Sequence, residues 1–167
     1  MGEEAVRAAF PAATIVRSAV MFGPDDALLV PLGNMLRRVP VFPMFGRGRT
    51  RIQPAYVEDV AEGIVRTLKT DGKPLYEFGG PVVYRYRELL ATVASHLGSR
   101  VLLVPIPFVA WHAVAFAAEF LAKPPITRNQ VELMQVDNVA DPAAGFGTLG
   151  IEPCSVEHIL PAILRKH

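Results

Sequence analysis

A nearly uninterrupted apolar run, Thr14 to Phe22, constrains the fold of this 167-residue chain more than any other segment. Only Arg17 and Ser18 interrupt the run, and residues 23–26 after it are typical of a turn that leads into a helix. A strand with one face in water alternates polar and apolar residues, whereas a strand that is apolar on both faces belongs inside a parallel sheet covered by helices. The run therefore predicts a parallel sheet with helices on its faces.

The other segments alternate between helical and strand patterns, which indicates the α/β class. We predict helices over residues 2–10, 28–38, 59–70, 85–97, 108–122, 127–136 and 155–164, and strands over 14–22, 41–45, 51–57, 75–78 and 101–104. Two capping boxes are predicted, one from Asp59 to Glu62 and one from Thr127 to Gln130. The strands at 41–45 and 51–57 are expected to flank a turn at residues 46–48.

Composition excludes several classes of function. The net charge of +1 gives no overall field that would attract nucleic acid or an anionic membrane. The single cysteine, Cys154, rules out an internal disulfide framework and suits a reducing compartment. The apolar stretch Val101–Ala122 is long enough to cross a bilayer, but Pro105 and Pro107 divide it and leave about fifteen residues. We therefore expect a buried or partner-facing helix there, no transmembrane segment and no nucleic-acid partner.

Three segments resemble motifs of one family. Val16–Pro24 resembles the R-P-x-x-V-Y-G-P strand and turn of extended short-chain dehydrogenases/reductases, and Gln53–Ala61 resembles their V-x-D-V-A step from strand to helix. Tyr76–Pro81, with Glu88-Leu89 after it, resembles their Y-x-x-G-G-P and E-L step. With Leu149–Pro153 near the end, the order and spacing are most similar to the branch that contains the Rossmann-type accessory subunit of respiratory complex I and its bacterial relatives.

This resemblance implies the C-terminal portion of a Rossmann-type α/β protein, with the N-terminal dinucleotide-binding half missing. The sequence has no G-x-x-G-x-x-G turn between a first strand and helix, no acidic residue after a second strand and no Y-x-x-x-K. We expect one α/β unit over residues 1–167, in which 1–24 is the remnant of the Rossmann sheet and 25–167 is a small mixed substrate-side domain. A literal G-x-G-x-x-G at Gly145–Gly150 has no strand before it and no helix after it, so we do not expect it to bind a dinucleotide.

The resemblance also implies a set of cofactor-binding residues. In the family the strand of the R-P-x-x-V-Y-G-P motif passes beside the nicotinamide ring, and the matching positions here are Arg17, Ser18, Ala19 and Val20. Ser18 stands where the family has proline. The alternative interpretation is a buried central strand with one polar pair at its end. NAD(P)H is expected in full-length relatives, and no cofactor is expected on this chain alone.

A second set of residues is a candidate for substrate binding. Arg47, Arg49 and Arg51 would point to one side of an extended chain, where guanidinium groups bind phosphate or carboxylate. In extended family members this part of the chain contacts substrate, and Gln53 and Tyr56 lie one strand-step farther on. The alternative is a solvated hairpin. We identify no catalytic residue and no spacing of metal ligands.

Three functional hypotheses follow. In the first, the chain is a module of an NAD(P)H-binding protein related to the complex I accessory subunit and is not catalytic by itself. In the second, it is a non-enzymatic interaction module that pairs with another copy, with a separate N-terminal half or with a membrane complex. In the third, it is a fragment of a catalytic NAD(P)-dependent epimerase or reductase. We expect a cytoplasmic location, peripheral to a membrane complex if it meets one.

Overall fold

The computed structural model describes residues 2–24, 29–70, 73–121, 124 and 126–165. The helices are α1 (Gly2–Ala9), α2 (Leu29–Arg38), α3 (Val57–Thr67), α4 (Tyr86–His96), α5 (Phe108–Ala118), α6 (Arg128–Leu133) and α7 (Val156–Arg165). The strands are β1 (Ile15–Ser18), β2 (Met21–Phe22), β3 (Val41–Phe45), β4 (Arg51–Ile52), β5 (Ala55–Tyr56), β6 (Leu75–Phe78), β7 (Tyr84–Arg85) and β8 (Leu102–Ile106). Two short 3₁₀ helices span Pro142–Ala144 and Phe146–Leu149. The α/β class predicted from the alternating patterns is confirmed.

The strands of the described residues form four hydrogen-bonded pairs. Three are parallel, β1 with β6, β2 with β5 and β3 with β8, and β4 pairs antiparallel with β7. Parallel pairing between strands far apart in sequence is the arrangement that helical crossovers produce. The structure is therefore a mixed α/β fold with parallel strands, as the apolar run predicted.

The single strand predicted over Thr14–Phe22 is two strands, and that prediction is corrected. The Ala19 amide donates to the Phe78 carbonyl at 2.8 Å, which ends the ladder with β6. The Val20 carbonyl then accepts from the Ala55 amide at 3.0 Å, which begins the contact with β5. The chain thus changes its hydrogen-bonding neighbour between Ala19 and Val20, and the ladder breaks at that point.

The hairpin expected at residues 41–57 is also wrong. β3 pairs with β8 and not with the chain that follows it, and residues 51–57 divide into β4, β5 and the start of α3. Proline at position 54 has no N–H for a ladder, which separates the two short strands. Gly46 and Gly48 take left-handed φ values of 53° and 63°, so the turn sends the chain away from β3.

One predicted capping box forms and the other does not. The Thr127 hydroxyl accepts from the Gln130 amide, and the Gln130 side chain accepts from the Thr127 amide, as in a capping box. By contrast, α3 begins at Val57 and places Asp59 in its first turn. The Asp59 carboxylate is buried and accepts from the Cys154 amide at 2.6 Å, so a distant partner replaces the local cap.

The strand predicted to end at Val104 continues through Pro105 to Ile106. The Leu102 amide donates to the Pro40 carbonyl, and alternate residues of a strand face the same neighbour. The nitrogen of Pro105 therefore faces away from β3, and no ladder bond is lost there.

Two apolar clusters hold these elements together. The larger one packs α2, α4 and α7 against β3 and β7, with Leu89, Leu90 and Leu160 fully buried. The smaller one joins β6 to α3 and to the second 3₁₀ helix, where the Phe78 and Phe146 rings stack with centroids 4.6 Å apart. Burial of these side chains is the main favourable contribution to folding.

Several apolar residues lie outside these clusters. α1 has no buried residue, and Ile15 and Val16 of β1 are only half-buried, because β6 is the one strand paired with β1 among the described residues. The apolar residues of α3 and its end differ in exposure, since Val60 is buried whereas Leu68, just beyond the helix, is 82% exposed. The division between a Rossmann remnant and a substrate-side domain at residue 24 stays a prediction. Strands before and after that residue are hydrogen-bonded to each other.

No helix in the described residues has the length and apolar character that crossing a membrane requires.

Close packing of α3 on β6 generates a first prediction. A Cβ added to Gly63 would lie 2.8 Å from the Phe78 ring, which is fully buried and cannot move freely. We expect Gly63→Ala to lower the free energy of unfolding by about 1–3 kcal/mol, although alanine is the better helix former. Chemical denaturation measures this change. Gly147→Ala is the matched control, since no atom lies within 4 Å of the added Cβ, and an equal loss in both variants would contradict the packing argument.

A second prediction concerns acid stability. The Tyr84 hydroxyl donates to Glu157, with both carboxylate oxygens 2.7 Å away. Burial alone would raise the pKa of Glu157, but hydrogen bonds from Tyr84, the backbone and Ser155 hold that pKa below its ordinary value. The resulting stability is present above the unfolded pKa and is lost as the pH falls through the folded pKa.

We expect Tyr84→Phe to destabilise the protein by about 1 kcal/mol at neutral pH. The difference from the unsubstituted protein should shrink as the pH falls through the folded pKa of Glu157, because the carboxylate that accepts the hydrogen bond becomes protonated. Denaturation curves at several pH values measure this. Tyr86→Phe serves as the control without a carboxylate partner, and a pH-independent penalty for Tyr84→Phe would exclude the proposed linkage.

Candidate functional site

A pocket of about 330 Å³ opens at the carboxyl ends of the parallel strands β1 and β6. We call it the carboxyl-edge pocket, and it is lined by Arg17, Ser18, Ala19, Glu77, Asp137, Asn138, Val139 and Ala140. Its volume lies in the range of small-molecule sites. In open α/β sheets, ligands bind outside the carboxyl ends of the strands, so this is the expected position for a binding site.

The predicted residue Arg17 lies on this pocket but is already neutralised. Its guanidinium contacts the Glu3 carboxylate of α1 and the Glu77 carboxylate of β6, each at 2.7 Å. Hydrogen bonds to Glu3 and Glu77 raise the pKa of Arg17, and the bond from Arg17 lowers the pKa of Glu3. In the parallel register Arg17 is directly opposite Glu77. Arg17 therefore ties α1 to the sheet and is not a free cation for an incoming anion.

The other three predicted cofactor residues follow Arg17 toward the pocket. Ser18 is exposed and Ala19 half-buried, and both line the cavity. Val20 is not among the residues that line it, and its amide donates to the side-chain oxygen of Asn138 at 2.7 Å. The structure thus places Ser18 and Ala19 at the cavity, and gives Val20 the role of anchoring the opposite wall.

Residues 137–140 form that opposite wall, and the sequence reasoning missed them. The Asp137 carboxylate accepts from the Arg51 amide at 2.7 Å and from its guanidinium at 2.8 Å. These bonds lower the pKa of Asp137, the backbone bond most strongly. The Asn138 amide donates to the Arg51 carbonyl at 2.8 Å. The wall is therefore fastened to β4 by its first two residues.

Gln53 fastens the far end of the same wall. Its side-chain nitrogen donates to the Gly80 carbonyl at 2.6 Å, and its side-chain oxygen accepts from the Ala140 amide at 2.9 Å. Both ends of the amide are occupied within the protein. Gln53 and Arg51, predicted as substrate ligands, therefore shape the carboxyl-edge pocket through residues 137–140.

The remaining candidates for substrate binding are not brought to the pocket. Arg47 lies in the turn between two left-handed glycines, so the expected extended run from Arg47 to Arg51 does not form. Arg47 and Arg49 are exposed and make no hydrogen bond or ion pair with any residue that the structure describes. Tyr56 packs on Phe22 with ring centroids 5.6 Å apart, and burial raises its pKa.

A sequence signal for the missed residues did exist in part. Glu77 is a charged residue within an apolar strand, and its sign is opposite to that of Arg17, which is the pattern of a cross-strand ion pair. Asp137-Asn138 follows a helix end, where such side chains often bond to backbone amides. The neighbouring sequence does not indicate which backbone amides these side chains bind, since Val20 lies 118 positions from Asn138.

The structure also gives the positions of the glycine match and of the side chains that could bind a metal ion. Gly145–Gly150 forms part of the two 3₁₀ helices and ends with Gly150 at a φ of 66°, without the strand before it and helix after it that a dinucleotide turn needs. Among the described residues no group of three His, Cys, Asp or Glu side chains is placed to hold a metal ion.

Comparison with known proteins relates the chain to respiratory and epimerase-like proteins. It is 36% identical over 141 residues to NADH dehydrogenase (ubiquinone) 1 alpha subcomplex subunit 9, mitochondrial, from Arabidopsis thaliana, covering 82% of this chain and 35% of that protein. The protein of the same name from Rattus norvegicus is 32% identical over 174 residues, covering 100% of this chain and 45% of that protein. The chain spans less than half the length of these relatives. No family model matches the chain.

A comparison of folds agrees with this relationship. The crystal structure of a human epimerase family protein with NADPH superimposes with a TM-score of 0.70 at 18% identity, covering 92% of this chain and 48% of that chain. The superposition confirms the Rossmann-type extended fold that the sequence motifs resemble.

The amide of Gln53 generates a prediction for the wall. We expect Gln53→Ala to leave the Ala140 amide and the Gly80 carbonyl without partners, at a cost of about 1–3 kcal/mol of local stability. Hydrogen exchange at residues 139 and 140 should then be roughly tenfold faster or more. Gln135→Ala is the matched control, because that side chain bonds to His112 and the Val131 carbonyl and, among the described residues, to no part of the wall. Unchanged exchange at Ala140 in Gln53→Ala would show that Gln53 does not hold the wall.

Proposed function

Because the chain is homologous to part of the subunit 9 proteins of the NADH dehydrogenase alpha subcomplex and has the fold of NAD-dependent epimerases and dehydratases, we propose that it forms the substrate-side part of an NAD(P)H-binding protein. In this proposal the chain lines one side of the nicotinamide end of the cofactor site and is not catalytic by itself. The observation that carries the proposal is the carboxyl-edge pocket, on which Arg17, Ser18 and Ala19 lie together.

The pocket residues fit the nicotinamide end of a cofactor and not its phosphates. A cavity of about 330 Å³ accommodates a ring and a sugar, and the Ser18 hydroxyl supplies a polar partner for a carboxamide. Among the described residues near the pocket the phosphates lack a partner, because Arg17 is bound by two carboxylates and no glycine-rich turn opens a helix there. Ser18 and Ala19 would hold the nicotinamide end, and the bound cofactor would supply the hydride chemistry.

Our proposal that this chain is not catalytic by itself is supported by the ionisable groups of the pocket. Glu77 and Asp137 are its only carboxylates, and each is bound by an arginine. The four tyrosines of the sequence lie elsewhere. Tyr84 is bound to Glu157, and burial raises the pKa of Tyr86 to about 12. A proton donor suited to hydride transfer is therefore not among the residues that line the pocket.

The homology also supports a location. The relatives bear the names of subunits of a mitochondrial NADH dehydrogenase, so we place this protein at the periphery of a membrane complex. A catalytic epimerase or reductase, our third hypothesis, would require another polypeptide segment to supply the missing proton donor.

A non-enzymatic interaction module is the second candidate. It is favoured by β1, which pairs with β6 alone among the described residues, and by α1, which buries none of its side chains. A strand with an open edge pairs readily with another strand. This candidate predicts association of the chain with a partner and no response of the carboxyl-edge pocket to nicotinamide.

The two candidates are separated by titrating the protein with the two halves of the cofactor. We expect nicotinamide mononucleotide to shift the NMR signals of Ser18, Ala19 and Asn138 saturably in the millimolar range, and adenosine monophosphate to leave them unchanged. Intact NADH and NADPH should bind no more than about tenfold more tightly than the mononucleotide, because the phosphate turn is not in this sequence.

Ala19→Leu narrows the pocket and should abolish the response to the mononucleotide, whereas Ala12→Leu, at an exposed position before β1, should preserve it. Equal responses to both mononucleotides, or shifts centred on Gly145–Gly150, would refute the proposed site. No response to either, together with concentration-dependent association, would favour the interaction module.

A further inference from the structure

α5 is apolar along its whole length but is not enclosed by the protein. Its sequence, FVAWHAVAFAA, contains no acidic or basic residue besides His112. A helix that is apolar all round is ordinarily buried. Here only Ala115 and Ala118 are fully buried, so most of the helix surface faces outward.

The outward side of α5 and its extension forms a continuous apolar row. Val109 is 81% exposed, Phe116 is 55% exposed and Phe120, two residues beyond the helix, is 81% exposed. Positions 109, 113, 116 and 120 follow the spacing of one helix face, and Ala113 at the remaining position is also exposed. We call Val109, Ala113, Phe116 and Phe120 the outer row. Three large side chains therefore lie in one line on the surface.

The opposite side fixes the helix rigidly to the sheet. The Trp111 indole nitrogen donates to the Met44 carbonyl at 3.3 Å, and the Trp111 ring packs on Phe45 with centroids 4.5 Å apart. Ala115 and Ala118 complete the buried side. Because these contacts determine the rotation of α5, the outer row cannot turn inward without breaking them.

Cations border one end of the outer row. A Cβ added to Gly46 would lie 2.6 Å from the Phe108 ring, so the turn that carries Arg47 packs directly on the first residue of α5. Arg47 and Arg49 are exposed and have no polar partner among the described residues. The acid at the other end, Glu119, is bound by Arg128 at 2.6 Å. Arg47 and Arg49 are therefore cations near the row without an acidic partner among the described residues, although the net charge of the chain is only +1.

From this combination we propose that the outer row of α5 docks on an anionic lipid bilayer surface, with the helix in the plane of the headgroups. Eleven residues span about 16 Å, which is too short to cross the hydrocarbon core. Anionic headgroups supply a counter-charge for Arg47 and Arg49, which have none among the described residues, and the acyl boundary covers the apolar row. A second copy of the chain, packed through its own outer row, would cover the phenylalanines. That row contains no acidic residue, so it would not supply a counter-charge to Arg47 and Arg49. The proposal does not depend on the carboxyl-edge pocket.

Vesicle co-sedimentation of the 167-residue chain tests the proposal. We expect binding to vesicles of phosphatidylcholine with phosphatidylglycerol to be at least about tenfold tighter than binding to phosphatidylcholine alone. High salt should remove most of that preference. Replacing Arg47 and Arg49 together by glutamine should abolish the preference for phosphatidylglycerol, whereas the same change at the exposed Arg38 and Arg100 should preserve it.

Phe120→Glu should weaken binding to both kinds of vesicle by roughly tenfold or more. Leu68→Glu is the matched control, because Leu68 is 82% exposed and Phe120 is 81% exposed. Val109→Glu gives a second test within the row, and melting curves verify that each variant folds. Equal losses for Leu68→Glu and Phe120→Glu would overturn the proposal. So would no vesicle binding at all, or a lipid-free dimer that Phe120→Glu dissociates.

Discussion

The parallel pairing of β1 with β6 is the interaction on which the rest of this structure depends. It joins the first apolar strand of the chain to a strand about sixty positions away, and its register sets Arg17 opposite Glu77. The ion pair fixes α1 through Glu3, and the two carboxyl ends together form one side of the carboxyl-edge pocket. Where the ladder stops, at Ala19 and Val20, the chain turns to β5 and exposes backbone to Asn138. The change of pairing partner from β6 to β5 thus accounts for both the break between β1 and β2 and the position of the carboxyl-edge pocket.

Local sequence patterns predicted the helices and strands better than they predicted which strands pair with each other. Periodicity and capping depend on residues within one or two turns, so the helix at Thr127 and the strand at Leu75–Phe78 lie where the sequence indicates. Strand partners are chosen by contacts between distant residues. Asp59 illustrates the conflict, because its carboxylate is taken by the Cys154 amide from 95 positions away and not by the start of its own helix. The hairpin expected around residues 46–48 was wrong for the same reason, since β8 offers β3 a longer ladder than the following residues do.

The candidate site was predictable on one wall only. Arg17, Ser18 and Ala19 were identified because their segment resembles the family motif that passes beside the nicotinamide ring, and the structure brings these three residues to the pocket. The other wall consists of residues 137–140, whose positions depend on bonds to Arg51, Gln53 and Val20. Their polar side chains are ordinary loop residues when considered alone. The cofactor and substrate roles of the predicted residues remain predictions. For Arg51 and Gln53, the contacts in the structure hold one wall of the pocket in place.

Apolar patterning predicts that a helix has a face to bury, but it does not predict what covers that face. On α3 the buried Val60 and the exposed Leu68 belong to the same pattern, and on α5 the buried Ala115 is adjacent to the exposed Phe116. The chain spans less than half the length of its relatives, so neighbours that cover some of these faces can lie outside this sequence. The two faces differ in their surroundings, however. Beside α3, Arg66 is paired with Glu62 and Lys69 is one exposed cation without a partner among the described residues. Beside α5, Arg128 is paired with Glu119, and the adjoining turn carries two arginines without such a partner. The larger number of unpaired cations makes the α5 face the better match for an anionic surface.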